Sequence, residues 1–143
     1  MTEPKLCVSN LSAGDAAPDF SHELTRTDLV MYAGASGDFN PMHTDEVQAK
    51  AAGLPSVFGH GMFTAGLLGK AITDYVGVGN LRAYKIRFTK QTWPGEVLTT
   101  HVTVERTYEE GSEVRVDLEC TVTNQHGETK LSGAAVAAIA PTP

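Results

Sequence analysis

The segment from Gly61 to about Val76 constrains this chain more than any other. Met62, Phe63, Ala65, Leu67, Leu68, Ala71, Ile72, Tyr75 and Val76 put apolar side chains nearly all the way round a helix. A helix of that kind is buried. It is shorter than the roughly 20 residues of a membrane span, and Lys70 and Asp74 lie inside it, so its host has to be the rest of the protein. Gly66 and Gly69 each cost about 1 kcal/mol against Ala in a helix interior. Close approach of a strand or a ligand is the compensation to expect.

The host is legible downstream. Beyond Gly79 the pattern has period two: Tyr84, Ile86 and Phe88 alternate with Lys85, Arg87 and Thr89, then Leu98, Val102 and Val104 alternate with polar residues. Val114, Val116, Leu118, Cys120 and Val122 share one face of a third run, and a fourth, from about Thr129 to Ile139, is apolar on both faces. Turn-like breaks at Trp93-Pro94-Gly95-Glu96, Glu109-Glu110-Gly111-Ser112 and Asn124-Gln125-His126-Gly127 separate these four strands and predict antiparallel neighbours. The last strand belongs in the middle of the sheet or under another subunit. An antiparallel sheet wrapped around one long helix is the hot-dog arrangement, an α+β fold.

The first half reads as helices and loops. Thr25 with Asp28 makes a capping-box variant, Leu24 and Leu29 stand at staple positions, and that helix runs to about Gly34. Thr44, followed by Asp45 and Glu46, starts a second helix ending near Gly53. Residues 1–19 are expected to be loosely ordered.

With 143 residues, 41% hydrophobic and 20% charged, the chain is one domain spanning 1–143, able to bury a core without staples. Eleven Lys and Arg against seventeen Asp and Glu leave a net charge of −6, so the global basic field needed for nucleic-acid binding is missing. Cys7 and Cys120 are far apart and in no metal-binding spacing, which suggests free thiols in a reducing compartment. No signal peptide and no run of about 18 apolar residues is visible, so the expected location is cytoplasmic, away from membrane.

Chemistry concentrates in Ser36-Gly37-Asp38-Phe39-Asn40-Pro41-Met42-His43. A carboxylate and an imidazole five positions apart, separated by an Asn-Pro turn, can converge from a loop pinned at both ends. Imidazole exchanges protons near neutrality, a neighbouring carboxylate orders water, and groups so placed contribute about 10²–10⁴-fold to a rate. Immediately ahead of the long helix stands Gly59-His60-Gly61-Met62. Free amides at a helix start stabilise a developing oxyanion, and Gly61 admits a carbonyl close to that amide. Taken singly, Asp38 reads as an Asx-turn residue, His43 as a helix-end histidine, and His60 as a loop-fixing one. As a trio they offer three side chains of metal-ligating type, but no HxH or HxxxH spacing supports a metal site. Arg82, Lys85, Arg87 and Lys90 form a basic stripe that is either a solvated strand face or a receptor for phosphate groups, with Lys85 and Arg87 the stronger pair.

The two motifs together resemble the signature of the MaoC-like, or (R)-specific enoyl-CoA hydratase, family of hot-dog enzymes, over about Thr25 to Ala140. His60-Gly61-Met62-Phe63-Thr64, Thr73-Asp74-Tyr75-Val76-Gly77 and Tyr84-Lys85-Ile86-Arg87-Phe88-Thr89 are similar to the catalytic B-type subunit of actinobacterial (3R)-hydroxyacyl-ACP dehydratase. The resemblance implies reversible hydration of trans-2-enoyl thioesters to (R)-3-hydroxyacyl thioesters, without metal or organic cofactor. Asp38 and His43 then correspond to the catalytic pair, the Gly61 amide to the oxyanion donor, and Asn40 to a loop-holding residue that orients His43. Carriers would be coenzyme A or an acyl carrier protein, and the partner a second hot-dog subunit in a homodimer or heterodimer. A hot-dog thioesterase and a non-catalytic acyl-thioester-binding subunit are the competing readings.

Overall fold

The computed structural model describes residues 11–139. It holds strand β1 (Phe20–Glu23), helices α1 (Arg26–Ser36), α2 (Pro41–Thr44), α3 (Glu46–Ala51) and α4 (Gly61–Val76), and strands β2 (Leu81–Phe88), β3 (Val97–Glu110), β4 (Glu113–Thr123) and β5 (Thr129–Ile139). The strands form one antiparallel sheet in the order β1-β3-β4-β5-β2. α4 packs on it, against β2, β3, β4 and β5, which is the expected hot-dog arrangement.

The core follows from the period-two pattern. Val102 and Val104 on β3 and Val116, Leu118, Cys120 and Val122 on β4 are all buried, and they meet Ala65, Leu68, Ile72 and Val76 of α4. Burial pushes the Cys120 thiol up to about 12, so it is an inert packing group. Cys7 lies outside the described residues. β5 is an inner strand, as its apolar faces require, and its small side chains let β2 come close. A Cβ at Gly133 would collide with the Lys85 carbonyl. No helix among the described residues is long and apolar enough to cross a membrane.

Several expectations need correction. The sheet has a fifth strand, β1, which pairs four residues with β3 and carries too short a pattern to be read from sequence. Residues 89–96 do not form a hairpin, because β2 pairs with β5 and β3 is flanked by β1 and β4. Their end is instead held against β1's exit, with Gly95 N donating to Leu24 O and Leu24 N to Glu96 O. Residues 11–19 are not loose throughout: Gly14 and Ala17 amides donate to Val104 and Val102 carbonyls of β3, and Ala17 is buried.

α4 is covered on one side only. Met62, Gly66, Lys70 and Asp74 form an exposed stripe along its outer face. Neither glycine is forced by a close neighbour: a Cβ at Gly66 would meet nothing, and one at Gly69 would make ordinary contact with Tyr84 at 3.7 Å. What ties β2 to the helix is the Tyr84 hydroxyl, which donates to Ala65 O at 2.8 Å.

Candidate active site

Two helix ends and one loop converge on the site. Thr25 caps α1 in the expected box, its hydroxyl accepting from Asp28 N while Asp28 Oδ2 accepts from Thr25 N. The helix runs slightly further than expected, to Ser36, and stops at Gly37, whose φ of 76° supplies the left-handed cap. The chain then turns sharply at Asp38, where Oδ1 accepts from Asn40 N at 3.2 Å. Asn40 caps α2 by accepting from Met42 N at 3.1 Å, and Pro41 fits the first position of that helix. α2 was not foreseen, and the cap of α3 is Asp45 rather than Thr44, because the Asp45 carboxylate takes both Val47 N and Gln48 N. This short helix sets His43 pointing inward, 7% exposed, whereas Asp38 stays open to solvent.

His43 Nδ1 lies 2.7 Å from the Phe58 carbonyl. A carbonyl only accepts, so Nδ1 carries the proton and Nε2 of the neutral ring is a bare base. That Nε2 faces Asp38 Oδ2 at 3.8 Å. The gap is too long for a direct hydrogen bond and suits one water touching both groups.

His60 is the floor of the site. It is 2% exposed, its ring is stacked on His43 at 3.9 Å, and its Nε2 donates to Asp38 O at 3.1 Å. Tyr32 of α1 meets its ring edge-on at 4.8 Å. Burial, and secondarily the His43 ring, pull the His60 pKa below its ordinary 6.5. A shift in that direction favours the neutral ring, and the contacts with Asp38 O, His43 and Tyr32 hold it in place. Gly59 N donates to Thr92 O at 2.8 Å and pins the segment from below.

Gly61 opens α4. His60 supplies no side-chain cap there, and although Phe63 N donates to His60 O at 3.1 Å, the Gly61 and Met62 amides before it are left for a ligand. The Phe88 ring covers the missing side chain, 2.9 Å from where a Cβ would stand. Beside it lies a cavity of about 320 Å³ whose walls include Phe58, Gly61, Thr64, Phe88, Thr92 and Lys130. Asp38 and His43 do not line it; Phe58 links the two, holding His43 with its carbonyl.

Asp38, His43 and His60 offer donor atoms within 4.8 Å of one another. Imidazole lone pairs lie in the ring plane, and rings stacked at 27° direct them side by side rather than onto one ion. The geometry suits a shared water better than a tetrahedral metal.

Lys85 and Arg87 are exposed on the outer side of β2, three residues and one residue before Phe88, while Arg82 is paired with Glu113 and Lys90 with Glu128. Sequence reasoning missed Phe58 O, Tyr32, Thr64 and Lys130. Lys130 had a signal, being the one charge in an apolar run. It is 2% exposed, with Gln91 O at 2.9 Å, Glu96 at 3.0 Å and Glu128 as partners.

Set beside known proteins, the chain is 36% identical over 96 residues to a peroxisomal hydratase-dehydrogenase-epimerase of Saccharomyces cerevisiae, covering 66% of this chain and 10% of that one. It is 38% identical over 91 residues to 3-hydroxyacyl-thioester dehydratase Y of Mycobacterium tuberculosis, covering 60% and 31%. The chain thus spans a third or less of these curated relatives. Among solved structures it superposes on the unliganded R-hydratase PhaJ1 of Pseudomonas aeruginosa with a TM-score of 0.80 and 28% identity, over 93% of this chain and 84% of that one. The MaoC like domain matches residues 10–129, the great majority of the sequence. On that match and the shared fold, the chain belongs to the MaoC-like domain family.

Proposed function

We propose that this chain adds water reversibly across the double bond of trans-2-enoyl thioesters, giving (R)-3-hydroxyacyl thioesters. One observation carries the reading: a bare imidazole nitrogen on His43 and the Asp38 carboxylate stand 3.8 Å apart beside the free amide end of α4. The names of the relatives, a 3-hydroxyacyl-thioester dehydratase and an R-hydratase, point to the same chemistry.

A water held between Asp38 and His43 attacks C3 of the enoyl group, and the pair takes up its proton. The π electrons move onto the thioester oxygen, where the Gly61 amide donates a hydrogen bond to the enolate. The charge then returns to carbon, and the proton held by the pair passes to C2. Water has added across C2 and C3, and every atom is accounted for without metal or organic cofactor. Asn40 holds the loop, and His60 braces His43 from behind. A thioesterase would attack the carbonyl carbon instead.

The carrier, coenzyme A or acyl carrier protein, brings its phosphates to Lys85 and Arg87, the cations of the stripe left without a carboxylate partner among the described residues. β2 is one of the sheet's two edge strands and, at eight residues against the four of β1, the longer one, which favours a second hot-dog subunit pairing there, in a homodimer or a heterodimer. A cytoplasmic location belongs to the same proposal and is checked by cell fractionation.

The test is incubation with crotonyl-CoA while enoyl absorbance and free thiol are followed together, with oligomer size measured in the same buffer. Loss of the enoyl signal without thiol is the expected result. Thiol release with the enoyl signal intact would establish a thioesterase, and inertness of the chain in its native assembly would establish a binding subunit. Activity abolished by a chelator and restored by zinc would overturn the metal-free mechanism.

A further inference from the structure

Buried side-chain polar atoms are nearly always hydrogen-bonded, so each exception asks for a reason. Among the described residues there are three: His60 Nδ1, Thr64 Oγ1 and Arg115 Nε. Two of the three flank the start of α4.

Thr64 is the more informative. It is 2% exposed, yet it lines the cavity that Gly61 also lines. It follows Gly61 by three positions, so the two share a helix face, and helical Cα–Cβ bonds lean toward the N-terminus, bringing the Thr64 side chain over the turn that Gly61 opens. A helical threonine commonly gives its hydroxyl to the carbonyl one turn back. Thr73, further along the same helix, does this with Gly69 O at 3.0 Å. Thr64 does not, which leaves its donor free at the one place where the helix also leaves backbone amides free.

We propose that the Thr64 hydroxyl is a second donor to the thioester oxygen, acting beside the Gly61 amide. The inference rests on the hydration reading and adds a catalytic residue to it. When water bonds to C3, charge reaches the thioester oxygen and both donors hold it. When the proton reaches C2 the charge withdraws, and Thr64 gives up no atom. In the free protein the unpaired hydroxyl costs stability, which substrate restores by filling the cavity.

The experiment is steady-state hydration of crotonyl-CoA and longer trans-2-enoyl-CoA homologues by the wild type, Thr64→Val and Thr64→Ser, with melting temperatures of all three. Thr64→Val keeps the shape and deletes the donor, so kcat should fall about 10- to 100-fold. KM should change less than about threefold, and Thr64→Ser should stay within about threefold of wild type. Thr64→Val should melt no lower than wild type, because it removes an unsatisfied group. Wild-type kcat in Thr64→Val overturns the inference while leaving the hydration reading intact. Equal impairment of the Ser and Val variants overturns it too, since shape would then be what matters. A lower melting temperature or failure to fold in Thr64→Val shows the hydroxyl to be bonded within the free protein, with the same consequence. A wild type inert toward every enoyl thioester defeats the hydration reading, and this inference falls with it.

Discussion

The imidazole of His60 lies against that of His43, ring centroids 3.9 Å apart and planes inclined at 27°. Two cations could not share that contact, which is consistent with the lowered pKa of His60. His60→Ala should cost about 2–4 kcal/mol of stability in urea denaturation, from the cavity and the lost bond to Asp38 O. Below its ordinary pKa of 6.5, the unfolded chain binds a proton that folded His60 refuses. Stability should therefore decline as pH falls from about 6.5, and less steeply in the variant.

Asp38→Asn and His43→Ala should each lower turnover of an enoyl thioester by about 10²–10⁴-fold. Asp38 is exposed, so its replacement should leave the melting temperature within about 1 kcal/mol equivalent of wild type. Near-normal rates in either variant would remove the dyad from the mechanism.

Gly61→Ala and Gly133→Ala should part company. At Gly61 the obstacle is the far edge of the half-exposed Phe88 ring, which can swing aside, so the variant should fold and lose activity. At Gly133 the obstacle is the main-chain carbonyl of Lys85, which is held in the β2–β5 ladder. That variant should lose about 1–3 kcal/mol or more in a thermal melt.

Hydrogen bonds from Lys130 and then Lys90 hold the Glu128 carboxyl down at about 2, against an ordinary 4.5. A depressed carboxyl stabilises the fold above its unfolded pKa and loses that effect as acid protonates it. The stability difference between wild type and Glu128→Gln should be constant above about pH 5 and shrink between 4.5 and about 2. A difference that persists unchanged in acid would contradict the pairing.

Lys85→Ala and Arg87→Ala should raise KM for a coenzyme A thioester about 3- to 10-fold, with kcat preserved, and should flatten the salt dependence of kcat/KM. Unchanged kinetics would return the stripe to a solvated strand face.

The sequence carried most of this architecture because the decisive patterns are local. Alternation in β2 to β5 and the apolar run of α4 report burial directly, and the Thr25/Asp28 box reports a helix start. Asp38, Asn40, His43 and Gly61 stood out as candidates because reactive residue types sat beside a turn and a helix N-terminus, and the structure brings Asp38 and His43 to 3.8 Å. What escaped depends on partners distant in the chain. The Phe58 carbonyl has no side-chain signature, β1 is only four residues long, and the 89–96 crossing is decided by which edge of the sheet is free. The outer face of α4 was misjudged because Gly66 and Met62 count as apolar in a pattern whether or not anything covers them.

The group that fixes the proton on His43 Nδ1 is the main chain of residue 58. Every amino acid brings the same carbonyl to that position, so no point substitution can erase it. The orientation of the His43 ring is thereby sheltered from side-chain substitution, and the walls around the 320 Å³ cavity can change shape while that ring stays set.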